Sequence, residues 1–350
     1  MRIFGAPQFV HREAQISRLE RHALGVEVID DGVVPRCIKS KVTTDGGGQF
    51  NGWKGGVYDR SGIVCESSLH DRHWTKVLVA YQPEEIDTDD IEYISGEAVY
   101  GGVLFEHFGH FLLESTNRLW WPLREGFKGY VVFQNVDQNN RVSDHARRFF
   151  DLLNISSKVI TVGRSVRFDR VIVPERAFVI QKRVFEEFRI PFLVAGDACE
   201  RLASPATVES GRLGLYLSRL NYQFRRSLGE EHLEDSFRKG GYDIVSMEAL
   251  SLEHQIMTMR RYSTVAGIAG SAFHLMLFSE RPKNATYILR DVTINSNYFM
   301  IDQLMSNNSV YIYNDSEHGP HVRREYGEDA TLDLQKIHKY LSESGIIDGE

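Results

Sequence analysis

The sequence predicts an α/β protein built on parallel sheets, and three observations carry that prediction. Between residues 213 and 278 short apolar runs alternate with amphipathic stripes. Turn residues separate them, in the order strand, helix, strand, helix, strand, which is the pattern of βαβ units. At 350 residues the chain exceeds what one core usually serves, so two domains are expected.

The elements follow in order. Leu213–Leu217 (LGLYL) is a short apolar run of the buried-strand type, and Arg219, Arg225 and Arg226 follow it directly. Glu230–Lys239 carries Leu233 and Phe237 one helical turn apart and closes on Gly240 and Gly241, where a C-cap glycine belongs. Tyr242–Val245 is the next strand, Ser251–Tyr262 a helix with Leu252, Ile256 and Met259 along one face, and Ser263–Gly267 a third strand. The small residues Gly267–Ala272 (GIAGSA) then turn the chain into a helix from Phe273. Its first backbone N–H groups carry the positive end of the dipole and attract phosphate, as guanidinium groups do bidentately. This stretch is therefore an expected anion site, with Arg219, Arg225, Gly270, Ser271 and Ala272 as its parts.

Upstream, residues 1–95 hold short strands (Val26–Ile29, Lys76–Ala80) among turns such as Thr44–Gly48, a β-rich scaffold. Tyr130–Phe133, Lys158–Val162 and Arg170–Pro174 are strands, with a helix at Asp144–Leu153. Gly196–Ser210 turns small and polar, which puts a boundary near Ser204–Gly211 and gives domains of residues 1–205 and 206–350. Ala285–Leu289 and Ser309–Tyr313 add strands, Ser316–Asp329 is a charged loop, and Leu332, Ile337, Tyr340 and Leu341 mark a terminal helix expected to pack back across the domain junction.

Composition excludes several classes. A net charge of −7 argues against a dedicated nucleic-acid binder. Three cysteines without paired spacing argue against a disulfide framework or zinc site and fit a reducing compartment. The start, MRIFGAPQFVHREAQ, has no apolar leader, and no run reaches the ~20 apolar residues of a membrane span, so a soluble, cytoplasmic protein is expected.

In Gly101–Leu123, a helix starting near His107 would put His107, His110 and Glu114 on one face and bury Leu112, Leu113, Leu119 and Trp120. That face suits a proton acceptor for a hydroxyl. A metal held by the two histidines, or a purely structural helix, fits the same spacing. Trp120 and Trp121 are expected in the core, with Pro122 ending the helix. The Asp87–Asp89 pair lies in the acidic run PEEIDTDD, a solvated loop rather than a metal site.

The ordered set LSR, FRRSLGEE, GGYDIV, LSLEHQI and GIAGSAFHLMLF, with EHFGHFLLESTNRLWWPL upstream, resembles glycosyltransferase family 61 over residues 101–290. Gly229 stands where many members have Asn, Ala269 where many have His, and Leu275 where eukaryotic members have Asn, which is closer to the bacterial branch. The resemblance implies a GT-B-like fold, two Rossmann-like domains facing a cleft, the first for acceptor and the second for nucleotide sugar. It implies inverting transfer from a UDP-linked donor to a hydroxyl of a glycan or lipid-linked oligosaccharide, in bacterial surface polysaccharide assembly. Glu114 falls at the family's acidic position and is the expected base, with His110 as rival or helper and His107 beside them. Glu248 would take the ribose hydroxyls, Gln255 would orient the base or the diphosphate, and His274 would bond a phosphate. No metal or cofactor is expected, and peripheral membrane association and a homodimer are the assemblies it admits. Two other readings remain: a nonenzymatic glycan- or nucleotide-binding module, and a hydrolase with a metal at Glu106, His107 and His110.

Overall fold

The computed structural model describes residues 1–5, 18–43, 47–82, 85–86, 91–202, 212–290, 294–314 and 328–347. The chain divides into two compact units between Ala198 and Cys199, inside the helix Ile190–Leu202. One unit is Arg18–Ala198, and the other is the remaining described residues, the first five included. The expected boundary at Ser204–Gly211 falls outside the described residues, as do the Asp87–Asp89 pair and most of the Ser316–Asp329 loop. The small residues at Gly196–Leu202 are helical rather than linker.

In the first unit four strands run parallel, in the spatial order Val159–Val162, Tyr130–Asn135, Glu92–Leu104 and Val166–Pro174. Taken in chain order this is 3-2-1-4, half of a doubly wound sheet, whose order reverses between the strands Glu92–Leu104 and Val166–Pro174. Ala98, Tyr100, Val132, Phe168 and Val171 form its core. Val26–Asp30 pairs antiparallel with Val166–Pro174, and a second sheet joins Ile38–Thr43, Gln49–Lys54, Thr75–Val79 and His70–Arg72. The N-terminal portion is thus β-rich, as the sequence predicts.

The second unit is built on six parallel strands, ordered Arg2–Phe4, Asn308–Tyr313, Asn284–Leu289, Thr264–Ile268, Gly214–Leu217 and Tyr242–Val245. Counting from Gly214 the order is 2-1-3-4-5, that of flavodoxin-like sheets, with the first strand of the chain added at the edge. Residues 1–4, expected in the N-terminal layer, belong here instead, because Arg2–Phe4 pairs with Val310–Ile312. The terminal helix is Leu334–Glu343. Its apolar residues Ile337 and Leu341 are buried in the core of its own unit, with Tyr216, Phe237, Ile288 and Ile312.

Two further elements differ from the sequence prediction. Pro122 does not end a helix but sits in the first turn of a separate one, Trp120–Arg124, where a missing N–H costs nothing. The helix after Gly270 is a tight 3₁₀ helix, Ser271–Phe278. Among the described residues no helix is long and apolar enough to cross a membrane.

Candidate active site

The first cluster lies past the C-terminal end of Glu92–Leu104, the strand at which the sheet order of the first unit reverses. His107 caps a short helix, Phe108–His110, which runs on as a π-turn, Phe111–Ser115. Single π-turns are uncommon and concentrate at functional sites. His110 and Glu114, four residues apart, meet directly: His110 Nδ1 lies 2.6 Å from Glu114 Oε2. His107 is extended and stands just outside the helix, with its ring edge-on to His110 and centroids 5.3 Å apart.

Glu114 is 1% exposed, and both its oxygens are occupied. Oε1 accepts from Arg72 Nε at 2.9 Å and from His70 Nε2 at 2.8 Å; Oε2 accepts from Arg72 Nη2 at 2.8 Å and from His110 Nδ1. Burial alone would raise its pKa, but the Arg72 guanidinium and the His110 and His70 hydrogen bonds outweigh that and hold it well below the usual range. Glu114 is therefore a fixed carboxylate with no oxygen left for a substrate. That geometry runs against Glu114 as the proton acceptor named from the sequence. Burial pulls the His70 pKa down to about 4, so His70 is neutral at pH 7 and serves as a donor. The ionised carboxylate assigns the His110 proton to Nδ1, which leaves Nε2 as the acceptor on a side chain 41% exposed. Arg72 Nη2 also lies 3.3 Å from His110 Nδ1.

His70 and Arg72 do not emerge from the sequence reading. They lie on the strand His70–Arg72, and alternation sends both toward Glu114 while Asp71 turns to Arg176 and Lys182. The triplet His-Asp-Arg was the available signal, but pairing over 42 and 44 residues is not readable from one chain. A cavity of about 470 Å³ in the same unit, lined by His70, Asp71, Lys76, Glu175, Arg176 and Arg183, shares His70 with the cluster.

The second cluster stands where the sheet order of the second unit reverses, between Gly214–Leu217 and Thr264–Ile268. Leu217 pairs with both Gly267 and Val245, so Arg219, Gly270 and Glu248 leave the sheet at one edge, the C-terminal ends of three strands. The Arg219 guanidinium lies against Gly270: a Cβ there would stand 2.3 Å from Arg219 Nη1. Only a glycine lets the cation settle onto the turn. Glu230, 1% exposed at the start of Glu230–Lys239, accepts the Arg219 backbone N–H at 2.8 Å and fixes the chain there. Burial raises the Glu230 pKa to about 7 against the pull of Arg219. Ser271 and Ala272 open the 3₁₀ helix, ahead of the first N–H it bonds internally, Phe273 to Gly270.

Arg225 follows on the same loop, and its φ of 57° is the left-handed conformation a non-glycine seldom adopts. Burial raises the Tyr298 hydroxyl to about 12, while Arg219 and Arg225 both pull it down. The ring of His274, a buried residue, lies 5.8 Å from that of Tyr298. Arg226 turns away, with a forked bond to Asp329. Glu248 is exposed in the 3₁₀ turn Met247–Ala249. The Gln255 amide donates to the Leu250 carbonyl at 3.0 Å and closes the start of its own helix.

Residues 108–288 match the family Glycosyltransferase 61, more than half of the chain; the match takes in His110 and Glu114 of the first cluster, with His70, Arg72 and His107 outside it, and Arg219 to His274 of the second. The chain belongs to glycosyltransferase family 61. No match to a curated protein accompanies it. Within this family 61 chain the glycine at 229 has a local reason: its φ of 98° is left-handed, a region that glycine and asparagine tolerate best.

Proposed function

We propose that this chain is an inverting glycosyltransferase acting on a nucleotide sugar, UDP-linked by expectation, and on a hydroxyl of a glycan or lipid-linked acceptor. The observation that carries the reading is the Arg219 guanidinium seated on Gly270 at the reversal point of the second sheet. Open α/β sheets bind ligands at such points. There Arg219, Arg225 and the amides of Ser271 and Ala272 receive the departing diphosphate, and His274 backs them. Fixed positive groups aimed at a developing anion stabilise it without reorganisation, which is the work a divalent ion does elsewhere.

In the first unit His110 Nε2 takes the proton of the acceptor hydroxyl as that oxygen attacks the anomeric carbon from the face opposite the nucleotide. Glu114 holds the ring and stabilises the imidazolium that forms, a carboxylate and imidazole pair of familiar logic. His70 and Arg72 position Glu114. This reading takes the two units as the lobes of a GT-B enzyme, and the family's bacterial branch suggests polysaccharide assembly as its setting.

The test is a thermal-shift panel of UDP-, GDP- and CMP-linked compounds joined to turnover. At a hundredfold excess over Kd the right nucleotide raises the melting temperature by roughly 5 °C. Arg219→Ala removes that shift, whereas His110→Ala keeps it and loses turnover, and chelators change neither. A His110→Ala variant that turns over normally would leave a binding module with no need of the first cluster.

A further inference from the structure

The loop after the strand Gly214–Leu217 exposes three large apolar side chains within five residues: Leu220 is 40%, Tyr222 39% and Phe224 45% exposed. Isolated exposed apolar groups are ordinary, but a run of them beside a cationic site is a surface shaped for something to cover. Tyr222 is the one tied to the site itself. Its backbone N–H bonds the Arg219 carbonyl at 2.9 Å, closing a tight turn, and the Arg219 guanidinium carbon stands 4.8 Å from the centre of its ring. Asn221 Nδ2 donates to Ser246 Oγ at 3.1 Å, which fastens the loop to the end of the neighbouring strand. The ring is therefore held at a set place beside the guanidinium assigned to the diphosphate, and part of it stands in water.

We propose that Tyr222 is the stacking platform for the nucleobase of the donor. The inference rests on the donor site argued above and adds the part that site lacks, a surface for the aromatic half of the nucleotide. A nucleobase needs an apolar plane against its face and freedom at its polar edges, and a half-exposed tyrosine ring supplies both. Stacking of this kind is indifferent to which base is present, so Tyr222 adds affinity for a nucleoside diphosphate over a bare diphosphate rather than choice among bases. A loop of aromatic and basic residues also suits an anionic bilayer surface, but the seating of this ring on Arg219, itself packed on Gly270, favours a ligand of the site.

Calorimetric titration of the full chain with UDP and, separately, with inorganic pyrophosphate tests this. Tyr222→Ala is expected to weaken UDP about 10- to 100-fold and to leave pyrophosphate within about twofold, while Tyr222→Phe keeps both near wild type. An equal fall for the two ligands would make Tyr222 a prop for Arg219 and overturn the platform. So would no change in either, or a loss confined to binding of phosphatidylglycerol vesicles. If the wild-type chain binds pyrophosphate but gains nothing from uridine, the platform fails and the anion site stands. If it binds neither, the donor reading itself fails.

Discussion

At the scale of single residues, the chemistry turns on which groups carry charge. Glu114 is an anion locked beneath Arg72, and losing it leaves a guanidinium 9% exposed without its counter-charge. Glu114→Gln is therefore predicted to cost about 3–5 kcal/mol of stability, read by denaturant unfolding, and to lower turnover ~10²- to 10⁴-fold, read by product formation. Glu230 behaves oppositely. Its folded pKa, about 7, lies above its ordinary 4.5, so the fold favours the protonated form, and the stability this group gives at low pH is lost as pH rises from 4.5 through 7. Glu230→Gln keeps an acceptor for the Arg219 N–H and removes that loss. The variant should match wild type near pH 4.5 and exceed it by up to ~3 kcal/mol at pH 8, seen as a higher melting temperature. Of these residues His110 and Glu114 were legible as a pair, because they stand four apart in sequence, and Arg219 as a basic residue directly after an apolar strand. His70, Arg72 and Glu230 were not, since their roles depend on strand placement and burial that one sequence does not encode locally.

At the scale of elements, strong local signals were enough where no long-range contact intervened. The helix Glu230–Lys239 and the strand Tyr242–Val245 fall at the bounds their apolar spacing and capping glycines indicate. The strand Glu92–Leu104, central to the first sheet, went unseen because Gly96, Gly101 and Gly102 interrupt its apolar pattern. Gly101 is there for packing: a Cβ would stand 2.4 Å from the Phe133 ring. The tight turn at Gly270 makes a prediction of its own. Gly270→Ala meets the mobile end of Arg219 rather than backbone, so the guanidinium shifts and the fold survives. Circular-dichroism melting should move by less than about 1 kcal/mol equivalent, while affinity for UDP falls ~10-fold or more.

At the scale of the whole molecule, the two sheets and their parallel order follow from the alternation of strands and helices, and that much was written in the sequence. The added edge strand was not. Arg2–Phe4 pairs with a strand near the opposite end of the chain, Phe4 packs with Tyr340 at 5.9 Å between centroids, and Arg2 Nη1 donates to the Ser344 carbonyl at 3.1 Å. Removing residues 1–5 should cost the second unit about 1–3 kcal/mol, from a bared sheet edge and lost apolar burial, and should lower its unfolding transition. The central claim, that this unit receives a nucleotide diphosphate on fixed positive groups, is met most directly by a crystal structure of the chain with UDP. Phosphate oxygens are expected about 3 Å from the Arg219 guanidinium and the Ser271 amide. A nucleotide bound elsewhere, with Arg219 turned to bulk water, would contradict the claim.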